Sequence, residues 1–160
     1  MTEHTNSKIE NRKAWHDYFI SDKFEAGISL LGSEVKSIRE GRVNLKDSYV
    51  RIVNKEAQLF NCHISPYSRI QGHLEVDPIR NRKLLLHREE IESLIGQSSQ
   101  KGFAIIPLKM YFTKGKVKVE IALAKGKNQY DKRESIKRKI HTRESADAIR
   151  SGTRNKRKFK

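Results

Sequence analysis

Hydrophobic positions alternate most cleanly around residue 120. Val117, Val119, Ile121 and Leu123 fall on one side of the chain, and Lys116, Lys118 and Glu120 on the other. A period of two is the mark of a half-buried strand. Phe103 to Phe112 is a β-prone run that pairs with it, turning at Lys114-Gly115, so the two form a predicted hairpin. Ser48 to Val53 and Ala57 to Cys62 flank Asn54-Lys55-Glu56 and read as a second hairpin. His16 to Ile20 and Ile28 to Leu31 are short β-prone runs, with the polar Ser21-Asp22-Lys23 between them.

Two stretches switch to helical spacing. Glu34 to Glu40 sets Val35 and Ile38 three apart, with Ser33 as its N-cap and Gly41 as its end. Arg88 to Gly96 carries Ile91, Leu94 and Ile95 as a core-facing stripe, with Glu89 and Glu90 in the first turn where the helix dipole favours them. Between the helices, Ile64 to Lys83 has little periodicity and reads as a loop longer than a connection needs. Six short strands with two helices predict a mainly β chain with short flanking helices, a small barrel of the oligonucleotide-binding kind.

Composition changes the picture after residue 124. Lys125 to Lys160 hold 14 of the 34 basic residues and 4 of the 19 acidic ones, a net charge of +10 out of +15. This stretch has no Leu or Val. It cannot bury enough apolar surface to offset the entropy of ordering its backbone, so it is expected to be disordered when free. Asp131 to Arg150 is nonetheless helix-compatible, lacking Pro and Gly, and would fold on a polyanion. The expected division is a β-barrel body over 1–124 and a basic tail over 125–160.

Candidate chemistry is sparse. The lone Cys62 allows no internal disulfide, which suits a reducing cytoplasm, and the histidines lack metal-ligand spacing. Cys62 and His63 are neighbours on a predicted strand and point to opposite faces, so they form no catalytic pair. No Gly-rich phosphate cradle and no carboxylate pair stand out; neither an enzyme nor a cofactor is expected. Met1 to Glu10 is polar, unlike a secretion signal, and no apolar run approaches membrane-spanning length. A membrane-surface role for the tail lacks the second, apolar signal that stable anchoring needs. The binding signals are stronger. Lys114, Lys116, Lys118, Lys125 and Lys127 place basic heads on and just after one hairpin, as a phosphate-tracking surface requires. Trp15, Tyr18, Tyr67, Tyr111 and Tyr130 are possible base-stacking rings, Tyr130 most of all because it sits among the tail's cations.

Several stretches together resemble one family, the bacterial SsrA-binding proteins (small protein B, SmpB). They are Asn11-Arg12-Lys13-Ala14 with His16-Asp17-Tyr18-Phe19-Ile20, Phe24-Glu25-Ala26-Gly27, Gly32-Ser33-Glu34-Val35-Lys36-Ser37, and Asn44-Leu45-Lys46-Asp47-Ser48-Tyr49-Val50. Further on come His63-Ile64-Ser65-Pro66-Tyr67, Arg82-Lys83-Leu84-Leu85-Leu86-His87 and Val117 to Lys127. The order of all seven, from about Ile9 to about Lys139, makes the resemblance specific.

The resemblance implies an oligonucleotide-binding-like barrel that is not an enzyme. Such a protein binds the tRNA-like domain of transfer-messenger RNA (tmRNA, the SsrA RNA) and stands in for the missing anticodon arm. Charged by alanyl-tRNA synthetase and carried by elongation factor Tu with GTP, the complex enters the empty A site of a stalled ribosome. The tail becomes helical in the decoding centre and mRNA channel of the small subunit, and the nascent chain is tagged. Carried over by position, Asn11, Glu25, Leu85, His87, Lys125, Gly126 and Lys127 are expected to contact tmRNA. Tyr130, Asp131, Lys132, Arg133, Lys137 and Arg138 are expected to act in the decoding centre and channel. The protein is expected to be a cytoplasmic monomer. A ribosomal protein or generic RNA chaperone with a basic tail is the alternative. Gln129, Lys137 to Thr142 and Ser151 to Lys160 depart from the family pattern, which leaves the register of the tail open.

Overall fold

The structure, a computed structural model, describes residues 8–67 and 76–156, with the backbone alone at 129, 130, 135 and 147–156. Among the described residues there are nine strands and four helices. They are β1 (Ile9–Glu10), α1 (Arg12–Asp17), β2 (Tyr18–Ile28), α2 (Gly32–Arg39), β3 (Val43–Asn44), β4 (Tyr49–Val53) and β5 (Glu56–Phe60). After these come β6 (His63–Ile64), β7 (Arg82–Leu85), α3 (Arg88–Ser98), β8 (Phe103–Thr113), β9 (Lys116–Gly126) and α4 (Gln129–Lys156). The chain divides into two compact units, Met1–Gly126 and Lys127–Lys160.

In the first unit every strand pairing is antiparallel. The main sheet runs β1-β8-β4-β5-β7-β2-β9, and β8 also pairs with β9. That last pairing closes β8, β4, β5, β7, β2 and β9 into a six-stranded barrel and removes the free sheet edges an open sheet would present. The barrel is the small β-barrel expected from the alternation. Its interior is filled by inward residues of successive strands, among them Ala26, Leu59, Leu84, Met110, Val119 and Ile121, with Ile38 of α2 and Leu94 of α3 packed against them. Ala14 of α1 covers a second cluster with Ile106, Leu108, Ala122 and Ala124. The 121–124 segment of β9 is therefore buried on both faces, and strict alternation ends there.

Both predicted hairpins form, and their turns explain the register. Asn54 and Lys55 (φ 52° and 60°), and Lys114 and Gly115 (φ 49° and 76°), take the left-handed conformation at both central residues. Such primed turns match the twist of the flanking strands.

Four boundaries differ from expectation. His16 to Ile20 is not one strand: Arg12–Asp17 is helical because the Asn11 side chain accepts from the Ala14 N–H at 3.2 Å and caps a turn too short to show a 3.6-residue stripe. Ile28 to Leu31 is not a separate strand either. β2 crosses the polar Ser21-Asp22-Lys23 through a bulge between Ile20 and Lys23 and continues to Ile28. Ser33 does not cap α2; the helix starts at Gly32, two residues before the expected Glu34, and the Leu31 N–H donates to Glu34 at 2.8 Å. The Ile64 to Lys83 span contributes the first residue of its loop to β6 and its last two to β7, while 68–75 lie outside the described residues.

In the second unit the basic segment is one helix of 28 residues, about 42 Å long at 1.5 Å per residue. It runs past Arg150 and through Gly152 to Lys156. Its start is built locally. The Asn128 carbonyl accepts the first helical bond from the Lys132 N–H at 3.1 Å, and Asp131 reaches back to the Asn128 N–H at 3.2 Å.

Candidate nucleic-acid interface

The outer face of β2, β9 and β8 carries the richest polar arrangement of the barrel. Strand register puts Glu25 of β2 opposite Glu120 of β9, and Lys118 of β9 opposite both Gly27 and Tyr111. Two glutamates directly opposed on a sheet repel each other unless each is neutralised. Lys109 of β8 holds Glu120 at 2.6 Å, and Lys118 lies 3.4 Å from one oxygen of Glu25. The Tyr111 hydroxyl donates to the other Glu25 oxygen. These contacts, the Tyr111 hydrogen bond foremost, hold the Glu25 carboxyl below the usual carboxylate range. Burial, with Glu25 beside it, pushes the Tyr111 phenol up to about 12. At neutral pH the carboxylate is charged and the phenol keeps its proton.

Beside this face lies a groove of about 390 Å³ lined by Gly27, Ile28, Leu30, Val35, Leu85 and the hairpin tip Gly115 to Lys118. Leu85 pairs with Gly27, where a Cβ would meet the Leu85 Cβ at 3.2 Å. The bare Gly27 backbone lets the leucine lie close to the strand, yet Leu85 stays 55% exposed. Leu85 thus presents an exposed apolar surface beside Lys116 and Lys118. His87, two residues on, is also exposed, and its N–H donates to Glu90 at 2.8 Å at the start of α3.

A charged knot supports the groove from within. Glu34 of α2 accepts from Arg82 at 2.8 Å and from Arg80 at 2.5 Å. Arg82, fully buried, also donates to the Cys62 and Pro78 carbonyls at 2.6 and 3.0 Å. Burial raises the Glu34 pKa, but the hydrogen bonds from Arg80, the Leu31 N–H and Arg82 outweigh it and leave the carboxyl low. The knot ties α2, β7 and the chain before β7 together, one strand-length from Leu85. Glu34 and Arg82 both fall in stretches that carry the family resemblance, but their pairing did not stand out in the sequence, because charged residues are rarely buried and nothing in their spacing joins them. Cys62 is buried, its thiol pushed up to about 11 by desolvation, so it is inert at neutral pH.

The other carried-over residues lie elsewhere. Asn11 is buried, and its amide donates to the Leu45 and Pro107 carbonyls at 3.0 Å each. Its side chain braces α1 against the β8 bulge rather than facing solvent. Lys125 and Gly126 end β9, with Lys125 over the Phe103 ring at 5.8 Å from its centroid. The five hairpin lysines do not share one face. Lys116 and Lys118 alternate outward, whereas Lys125 has the parity of Val119, Ile121 and Leu123 and emerges at the barrel end. Lys127 belongs to the second unit.

Within that unit, Asp131 serves the helix start described above. Lys132, Arg133, Lys137 and Arg138 lie on α4, the last three exposed, and Arg138 stands 4.0 Å from Glu134. The Tyr130 side chain lies outside the described residues. Among the described residues no cluster of His, Cys, Asp or Glu could hold a metal ion, and no helix is long and apolar enough to cross a membrane.

Known proteins match the chain along almost its full length. The SsrA-binding protein of Syntrophobacter fumaroxidans is 59% identical over 142 residues, 89% of this chain and 88% of its own. That of Shouchella clausii is 54% identical over 157 residues, 96% and 99% of the two chains. A chain in the solved structure described as "tmRNA-SmpB: a journey to the center of the bacterial ribosome" superposes with a TM-score of 0.66. It is 44% identical and spans 81% of this chain and 94% of its own. The family model for the SmpB protein matches residues 8–151, and the chain belongs to that family.

Proposed function

We propose that the protein is the tmRNA-binding adaptor of trans-translation, delivering tmRNA to stalled ribosomes for nascent-chain tagging and ribosome rescue. The match to SsrA-binding proteins along both units carries this reading, and so does the likeness to a chain seen with tmRNA in the ribosome. The geometry fits the role. A closed barrel offers an apolar, lysine-edged groove and a fixed carboxylate for an RNA of defined shape. A separate basic helix offers charge for a second RNA surface.

The finer assignments belong to the same proposal. Glu25, Leu85, His87 and the Lys125-Gly126-Lys127 junction contact the tRNA-like domain, while Asn11 acts by holding α1 in place. Lys132, Arg133, Lys137 and Arg138 of α4 face ribosomal phosphates, with Tyr130 stacking nearby. Recognition rests on shape and charge, with no bond made or broken by the protein itself. Alanyl-tRNA synthetase and elongation factor Tu with GTP act on the tmRNA it holds, in the cytoplasm.

Competition binding at near-physiological salt tests the reading, with tmRNA set against tRNA and an unrelated structured RNA. Preference for tmRNA is the expected result. Equal affinity for all three would leave a salt-sensitive polycation and make a generic RNA binder the better account.

A further inference from the structure

Glu25 is out of place on a chain of net charge +15. An exposed carboxylate repels phosphate, and here it is also opposed in register by Glu120. The fold compensates it rather than removing it. Tyr111 belongs to β8, and β9 lies between β8 and β2, so the Tyr111 side chain must lean across a whole strand to reach Glu25. It passes the β9 positions of Lys118 and Glu120. Lys109 sits 5.4 Å from the Tyr111 ring centroid and is itself engaged to Glu120 at 2.6 Å. The ring thus lies against Lys109 with its hydroxyl directed at Glu25.

A glutamate alone on a strand swings among many rotamers and loses that freedom on binding. Anchored by a rigid phenol on one oxygen and steadied by Lys118 on the other, this carboxylate is already placed. Its side chain is still 52% exposed, so further lone pairs on its two oxygens face outward. A fixed anionic acceptor suits N–H donors. In RNA these are the amino and imino groups on the exposed edges of unpaired bases.

We propose that Tyr111 is a positioning residue, which holds the Glu25 carboxylate aimed at a base N–H donor of the bound RNA. It sets base selectivity through Glu25 without contacting phosphate. This rests on the tmRNA-binding reading above and adds a residue and a chemistry to it.

The full-length chain and its Tyr111→Phe, Glu25→Gln and doubly substituted forms are titrated with tmRNA over a range of salt concentrations, the parent also with tRNA, and their melting temperatures are measured. Tyr111→Phe removes only the hydroxyl. It is expected to weaken binding about tenfold, the scale of one hydrogen bond to a charged group. The double variant should bind no worse than Glu25→Gln alone. The slope of log affinity against log salt should match the parent's, since no phosphate contact is lost. Melting temperature should hold.

Additive losses in the double variant, a shallower salt slope, or full affinity in Tyr111→Phe beside a weakened Glu25→Gln would each overturn the inference. So would undiminished binding by Glu25→Gln. A tyrosine of merely structural importance would lower the melting temperature and act additively. Failure of the parent to prefer tmRNA over tRNA would instead strike the functional reading itself, and the parent titration separates the two.

Discussion

The barrel and the α4 helix are built on opposite physical terms. In the barrel, Ile38, Leu59, Leu84, Met110 and Ile121 are sealed from water, each worth about 1.5–3 kcal/mol on burial. Along α4, every described side chain from Arg133 to Ala146 is exposed, including Ile136 and Ile140. Its order comes from helix propensity, a local cap at Asn128 and pairs such as Glu134 with Arg138, each worth only tenths of a kcal/mol. The barrel is encoded by where its apolar residues fall and the helix by what its polar residues carry. A rigid body suits recognition of one shape; a charged helix of marginal stability suits a partner that supplies the ordering energy.

The strongest way to break this comparison is to reverse charge on the helix. Lys132→Glu with Arg133→Glu should abolish tagging while the barrel melts as before. A lowered barrel melting temperature would show that the two units are not separable. Next comes the knot inside the barrel. Arg82→Met removes the fully buried one of Glu34's two arginine partners, leaving Arg80, and should cost about 3–5 kcal/mol of barrel stability. Denaturant unfolding reads this directly, and a loss under 1 kcal/mol would mean that Arg80 suffices.

A smaller effect should appear at the surface. Leu85→Ala removes an exposed platform, so tmRNA affinity should fall about tenfold with the melting temperature nearly unchanged. Unaltered affinity would take Leu85 out of the interface. Acid provides a gentler probe of the same division. Glu34 has a folded pKa below its ordinary value of 4.5, so its stabilisation is complete above that pH and lost as pH falls through the lower folded value. Barrel stability measured between pH 6 and 3 should therefore decline below about 4.5, and Glu34→Gln should flatten that decline. Smallest of all, Gly152→Ala should favour α4 by up to about 1 kcal/mol, seen as a gain in helicity with no change in the barrel.

The barrel was legible where one face of a strand is buried and the other wet. Lys116 to Ile121 shows this pattern, and the 103–124 hairpin follows from it. It was illegible where a bulge breaks the period, as at Ile20 to Lys23, or where six residues of α1 are too few to show one. The site divides in the same way. The lysines of β9 are visible as an excess of charge, whereas Leu85 and Glu25 were reached only through the family resemblance. The Tyr111 bridge to Glu25 spans 86 positions in sequence, and Arg82 and Glu34 are 48 apart. Contacts that distant leave no local pattern, because only closure of the barrel brings them together. For α4, composition announced the charge and helix compatibility, while the helix end beyond Gly152 had no signal in a residue that ordinarily weakens helices.

The most direct test of this division is the ratio of affinities for tmRNA and tRNA, measured for the chain lacking Asp131 to Lys160. Deletion removes much of the positive charge, so both affinities should drop and become less salt-dependent. The ratio should stay that of the full chain, because selectivity resides in the barrel. A ratio that collapses towards one would place selectivity in the helix and contradict the account.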